Sequence, residues 1–365
     1  MYLRKVNTMA TEFVTDGHPD KICDQISDAI VDAALEDESS RVGIEVAGGH
    51  GGITITGEIT TNANVQFGDI ARNTYKKIGH EDQVGVFVNV VKQSPDIAQG
   101  VNEGEGLDKD QGAGDQGVMV GYAINEGSNF MPKSWTLSRQ LCVEMRQLRR
   151  DKKLPYLRPD GKSLVVMEGD RVTHVTLAAH HSEDVDLDTV RSDLIKYVVI
   201  PVIGEDMDLN NVIINGTGTF TKGGFEADAG VTGRKLMVDN YGPNIEIGGG
   251  CYSGKDPSKV DRSSAYFCRM VAKSIVAGGH ANEAVVKVGY AIGISKPAYI
   301  TVVTDLSEDL NRKLEQKIIE TFDFRPRPVI DYLNLLKPDG WKYQDTSETG
   351  HYGDNRFPWE KIVEI

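Results

Sequence analysis

Residues 248–262 read GGGCYSGKDPSKVDR, and the way this stretch is read decides the fold. Gly249, Gly254 and Lys255 fit the G-x-x-x-x-G-K spacing of a P-loop, which needs a buried strand before it and Ser or Thr after the lysine. Neither is there: residues 244–247 (NIEI) make a poor buried strand, and Asp256 follows the lysine. The stretch reads instead as a glycine turn that runs into a helix starting near Ser258. Glycines let backbone N–H groups approach an anion closely. Lys255 and Lys259 can neutralise phosphate charge, while Asp256 and Asp261 can hold Mg2+ or orient the lysines. A helix N-terminus behind such a loop favours anions further.

Downstream, residues 258–277 have helical spacing, residues 284–305 read as a hairpin, and residues 306–322 are helical again. The same order occurs twice upstream. Residues 20–36 carry Ile22, Ile26, Ile30 and Ala33 at helical spacing. Residues 41–61 then alternate around His50-Gly51-Gly52, residues 65–78 return to helix, and residues 84–91 are strongly β-prone. In the middle of the chain a helix over 135–150 precedes a hairpin over 163–179, a helix over 187–203 and a short strand at 212–214. The unit therefore recurs at about 120 residues. This predicts an α/β protein of the α+β type: three similar domains in a pseudo-threefold arrangement, each a mostly antiparallel sheet with helices packed on one face. The expected boundaries are 1–97, 111–222 and 223–365. Residues 98–110 form a loop between the first two units, within an aperiodic glycine-rich stretch whose length suits a lid or binding loop. The polar tail ends in Phe357-Pro358-Trp359, an aromatic pair suited to docking back on the body.

The chain has a net charge of −14 and a pI near 5.1, which argues against nucleic acid and anionic membrane as partners. The 39 glycines of 365 residues, above the usual ~7%, cluster in short groups that suit tight loops. Cys23, Cys142, Cys251 and Cys268 form no C-x-x-C pair, so a reducing cytoplasm is the expected compartment. No apolar run approaches a membrane span, and the first residues lack the apolar core of a signal peptide.

Five further groups carry chemistry: DGHPDK at 16–21, KQSPD at 92–96, GAGDQG at 112–117, RPDGK at 158–162 and DAGVTGRK at 228–235. Each alone is ordinary turn or surface chemistry, and Asp20 alone reads as a helix cap. Together and in this order, with SGKDPSKVDRS, they closely resemble the S-adenosylmethionine synthetases, across nearly the whole chain. The resemblance implies an enzyme that joins ATP and L-methionine. The methionine sulfur attacks C5′, the whole triphosphate leaves, and it is then cleaved to phosphate and diphosphate. It also implies Mg2+, two per site, activation by K+, and a homodimer, or a dimer of such dimers, with active sites between subunits.

By position, the resemblance assigns His18 to the triphosphate near the departing oxygen. Lys162, Arg234, Lys235, Lys255 and Lys259 become the catalytic cations around the phosphates. Asp20, Asp261 and Glu12 become Mg2+ ligands, and Glu45 the K+ carboxylate. Glu58 and Gln93 match methionine contacts, with Asp115, Asp228 and Lys259 near both substrates. Asp160, Gly161, Thr219, Phe220 and Cys251 complete the ATP site, Phe220 stacking on adenine. Residues 93–112 cover the family's mobile gate. This assortment suits the chemistry: a neutral thioether needs no general base, whereas the leaving triphosphate needs cations. Two departures stand out. Thr219 replaces a usual arginine, and Lys222 is expected to supply part of that charge. Cys251 replaces a usual alanine, which predicts sensitivity to alkylation.

Overall fold

The computed structural model describes residues 8–94, 108–127 and 129–365. Part of the expected gate, residues 95–107, lies outside the described residues.

The first unit opens with β1 (Thr8–Val14) and α1 (Pro19–Ala34), then the antiparallel hairpin of β2 (Arg41–Gly49) and β3 (Gly52–Thr60). Helix α2 (Phe67–Ile78) crosses over to β4 (Gly85–Val91), which lies parallel to β3. The second unit repeats this with β5 (Gly117–Ile124), α3 (Lys133–Arg150) and the hairpin β6 (Leu157–Glu168) and β7 (Arg171–His181). Its crossover helix α4 (Leu187–Leu194) continues through a wider turn (Ile195–Val199) into Ile200–Ile203, then β8 (Val212–Ile214) lies parallel to β7. Pro201 has no N–H for the helical ladder, which accounts for the wider turn before it. The third unit has β9 (Gly230–Val231), α5 (Val260–Ala277), the hairpin β10 (Glu283–Tyr290) and β11 (Tyr299–Thr304), and α6 (Glu308–Thr321). Every helix and hairpin expected from periodicity is present, and no strand precedes the glycine turn at 248–254.

The lead strand of each unit leaves its own hairpin and joins another's. Strand β1 pairs antiparallel with β6, β5 with β10, and β9 with β2. The exchange closes in a ring, so the three units hold one another cyclically, as a pseudo-threefold arrangement requires. The sheets run β1-β6-β7-β8, β11-β10-β5 and β4-β3-β2-β9. Each long helix covers a sheet: α1 packs on β2, α3 on β6 and β1, and α5 on β5 and β10.

Helix α5 is buried around its whole circumference, as befits a central helix. Its closest neighbour is β5: a Cβ at Gly121 would lie 2.0 Å from the Cys268 carbonyl carbon. The charges on α5 are all paired. Arg262 meets Asp28 at 2.6 Å, and Arg269 and Lys273 share Glu360 at 3.0 and 2.8 Å. The tail docks here too, with Trp359 stacked 3.7 Å from Tyr266. No helix among the described residues is long and apolar enough to cross a membrane.

Candidate active site

The turn 16–21 joins β1 to α1. A Cβ at Gly17 would lie 2.2 Å from Pro159, so the turn lies directly against the start of β6. Behind it, the buried Asp16 carboxylate receives Arg146 at 2.9 Å, Arg150 at 3.0 Å and Arg149 at 3.3 Å, all from the last turns of α3. His18 caps α1: its Nδ1 accepts the Asp20 N–H at 3.2 Å. Burial, then Lys235, lowers its pKa to about 3, so the ring is neutral at physiological pH. With Nδ1 accepting, the proton resides on Nε2, which is left as a donor.

Asp20 accepts the Lys235 ammonium at 2.5 Å, Arg234 Nε at 2.7 Å and the Val231 N–H at 3.0 Å. Burial pushes its carboxyl up, but these donors outweigh it and hold it below the usual range. Lys162, on β6, pairs at 2.7 Å with Glu12 on the adjacent β1. The register of β6 against β7 shifts between Leu157 and Gly161, and this bulge presents Asp160. Asp160 is buried and accepts the Gly224 N–H at 2.8 Å. Phe220 stacks on His180 at 5.3 Å, and its N–H donates to His181 Nε2 at 3.1 Å. Lys162 and Asp228 both act electrostatically on His18. The first cluster is therefore Glu12, His18, Asp20, Lys162, Arg234, Lys235 and Asp228, flanked by Asp160, Gly161 and Phe220, with Thr219 exposed beside Phe220.

The second cluster lies on the glycine turn. Lys255 pairs with Asp261 at 2.5 Å. Burial would lower the Lys255 pKa, but the net shift is upward, with the Asp261 and Asp115 carboxylates among its causes. A Cβ at Gly250 would lie 2.1 Å from the Asp261 carboxyl carbon, so only glycine admits that carboxylate. Glu45, exposed on β2, also acts on Cys251. Lys259 pairs with Asp256 at 2.6 Å, a buried carboxylate that also accepts the Val42 N–H at 2.6 Å. The two aspartates of the turn thus orient its two lysines.

Glu58, on β3, faces Gly43 of β2, whose other side bridges Lys255 of the second cluster, and the buried Gln93 lies just beyond β4. The carboxylates assigned to Mg2+ do not meet: Glu12 is on Lys162, Asp20 on Arg234 and Lys235, and Asp261 on Lys255. Among the described residues no three His, Cys, Asp or Glu side chains gather as a metal cage. Sequence reasoning missed the residues that hold the clusters in place: Asp16 with its three arginines, His181, and Asp24 and Asp28 of α1. The signal was present for the last two, since α1 carries an aspartate at every fourth position from Asp20 to Asp32.

Three family models match in succession: the N-terminal domain of S-adenosylmethionine synthetase over residues 7–99, the central domain over 110–220 and the C-terminal domain over 222–361. The chain is 43% identical to the S-adenosylmethionine synthase of Clostridium tetani over 389 aligned residues, spanning 100% of this chain and 98% of that protein. It is 43% identical to that of Desulfosudis oleivorans, over 98% of this chain and 96% of the relative. For the synthase of Sorangium cellulosum the identity is 44%, over 96% and 86%. Matches of this length, over a chain whose cation clusters sit at the motifs that first suggested the likeness, leave one reading: the chain belongs to the S-adenosylmethionine synthetase family.

Proposed function

We propose that the two clusters together make S-adenosyl-L-methionine from ATP, L-methionine and water, releasing phosphate and diphosphate. The methionine sulfur donates its lone pair to C5′ of ATP. The C5′–O5′ bond breaks, and its electron pair leaves with the triphosphate. Water then cleaves the tripolyphosphate before release. The observation that carries this reading is the gathering of His18, Lys162, Arg234 and Lys235 about one turn, with His18 accepting at Nδ1 so that its Nε2–H is the donor. Such a donor meets negative charge growing on the departing oxygen without needing to gain a proton. Arg234, Lys235 and Lys162 take the phosphates from one side, Lys255 and Lys259 from the other. Phe220 and Asp160 hold the nucleoside, and Asp115, Asp228, Glu58 and Gln93 hold methionine and ribose.

The oxygen-only donor set of Glu12, Asp20 and Asp261 suits a hard divalent cation. Two Mg2+ would be held by these carboxylates together with phosphate oxygens, and when bound would supply positive charge to the triphosphate. Glu45 would hold K+. Since these carboxylates do not meet within one chain, we read the working unit as a homodimer, with the site shared between subunits. The bare face of the sheet β4-β3-β2-β9 supports this. Phe87 and Val91 are 64% and 60% exposed there, in register with Thr54 and Glu58. The expected compartment is the cytoplasm.

The test is the purified protein with ATP, methionine, Mg2+ and K+, its products read by mass. S-adenosylmethionine with phosphate and diphosphate supports the reading. ADP would mark a phosphotransferase, and unchanged substrates a non-catalytic nucleotide-binding relative.

A further inference from the structure

We propose that Asp24 and Asp28 are positioning residues that fix the two cation-bearing loops at a set spacing along α1. The proposal rests on the reading above, in which Arg234, Lys235 and Lys255 face the triphosphate.

Asp20, Asp24, Asp28 and Asp32 stand at four-residue steps on α1, so each lies about 6 Å along the helix from the next, in one slowly turning stripe. Each accepts a backbone N–H from the far half of the chain. Val231 donates to Asp20 at 3.0 Å, Gly233 to Asp24 at 2.8 Å and Gly254 to Asp28 at 3.0 Å. Tyr343 and Gln344 donate to Asp32 at 2.8 and 2.9 Å.

The two middle rungs share a further feature. In both, the donor is a glycine in the left-handed region, with φ +80° at Gly233 and +83° at Gly254. In both, the next residue is a cation of the site: Arg234, followed by Lys235, after the first, and Lys255 after the second. Neither backbone has room to slide. A Cβ at Gly233 would meet Cys251 at 2.8 Å, and one at Gly254 would meet the Ile44 carbonyl oxygen at 2.0 Å. Asp24 and Asp28 are fully buried and tied from behind, by Lys21 at 3.2 Å and by Arg262 at 2.6 Å. One helical turn of α1 therefore sets where each loop releases its cations.

Charges that must meet a leaving triphosphate are sensitive to such placement, since an error of about 1 Å can cost on the order of 100-fold in rate. Asp24 is the rung to test. Its removal leaves Lys21 paired with Asp239 at 2.6 Å, whereas removal of Asp28 strands a buried arginine. Asp24→Ala is expected to lower kcat for S-adenosylmethionine formation at least ~10-fold, with the methionine KM within about 2-fold. Asp24→Asn keeps an oxygen for the Gly233 N–H and should recover kcat to within about 3-fold of the wild type. If Asp24→Ala does not fold, Asp24→Ser takes its place, since its hydroxyl is too short to reach Gly233 but keeps the site polar. An alanine or serine variant that retains more than half the wild-type kcat overturns the proposal. So does a folded Asp24→Asn as slow as the alanine variant. Wild-type protein that makes no product in the same assay would instead sink the reading of the reaction.

Discussion

Asp28 and Arg262 meet in a two-pronged ion pair, Oδ1 to Nη1 at 2.6 Å and Oδ2 to Nη2 at 3.0 Å, with neither side chain exposed. The pair ties α1 to α5. Arg262 also donates to the Lys255 carbonyl at 3.1 Å and lies 4.3 Å from the Tyr343 ring centroid. Removing one member leaves a buried charge without its counter-ion, which typically costs about 3–5 kcal/mol. Asp28→Ala should therefore lower the unfolding free energy by about that amount in urea, and the double variant with Arg262→Ala by less than the two single losses combined. An Asp28→Ala protein that melts like the wild type would show that the pair contributes little.

Lys235 lies 2.5 Å from Asp20 and is the first charge acting on His18. If it faces the triphosphate, Lys235→Ala should lose about 100–1,000-fold in kcat, the usual loss when one donor to developing charge is deleted. The expected compensation by Lys222 provides a contrast. That lysine is largely exposed and lies 3.5 Å from Glu226, a surface pair four residues apart. Such pairs contribute little, so Lys222→Ala should leave the ATP KM within about 2-fold. Steady-state kinetics on both variants decide. A large rise in the ATP KM for Lys222→Ala would restore the view that it replaces the absent arginine.

Local pattern carried much of the fold. The helices around Ile22, Leu141 and Met270 and the three hairpins follow from apolar spacing and glycine turns, because each is stabilised by neighbours in sequence. The ring of exchanged strands was not legible. Glu12 faces Leu164 and Ala47 faces Val231, partners that only tertiary packing selects, and the two residues of β9 carry no period at all. The site divides the same way. The motifs pointed to His18, Lys162, Lys235 and Lys255, which the fold brings into two charged clusters. Which carboxylate each cation pairs with was not, because Lys259 with Asp256 and Lys255 with Asp261 are settled by loop geometry. An aspartate at every fourth position of a helix reads as a wet face until the segments that cover it are known.

Asp160 gives a pH dependence with a definite sign. Burial, opposed in part by the Gly224 and Gly161 N–H groups, pushes its carboxyl up to about 6. The folded protein therefore holds this proton more tightly than the unfolded chain does. The stability so gained is complete below the ordinary carboxylate range and is lost as pH rises through about 6. Asp160→Asn stays neutral and keeps an acceptor for Gly224. Relative to the wild type it should gain about 1–3 kcal/mol in unfolding free energy between pH 4.5 and pH 7.5. Asp32 is also pushed up to about 6, but it is present in both proteins and cancels. Urea melts at the two pH values check this, and an equal difference at both would show that Asp160 does not titrate in this range.

Cys251 changes most between sequence and structure. Its place beside the expected nucleotide predicts alkylation, and the side chain is indeed partly exposed. Burial nevertheless pushes its thiol up to about 11, with Lys255 pulling only part of the way back. The thiolate is the nucleophile, so at pH 7.5 the reactive fraction is about 100-fold below that of an ordinary cysteine. Cys23, Cys142 and Cys268 are buried and pushed up as well, so none should compete. Iodoacetamide at pH 7.5 is therefore expected to label the native chain slowly at every cysteine, with Cys251 labelling faster as pH approaches 10. Peptide mass mapping over a pH series reads this directly. Rapid labelling of Cys251 at neutral pH would mean that Lys255 counts for more, and burial for less, than the packing around the glycine turn implies.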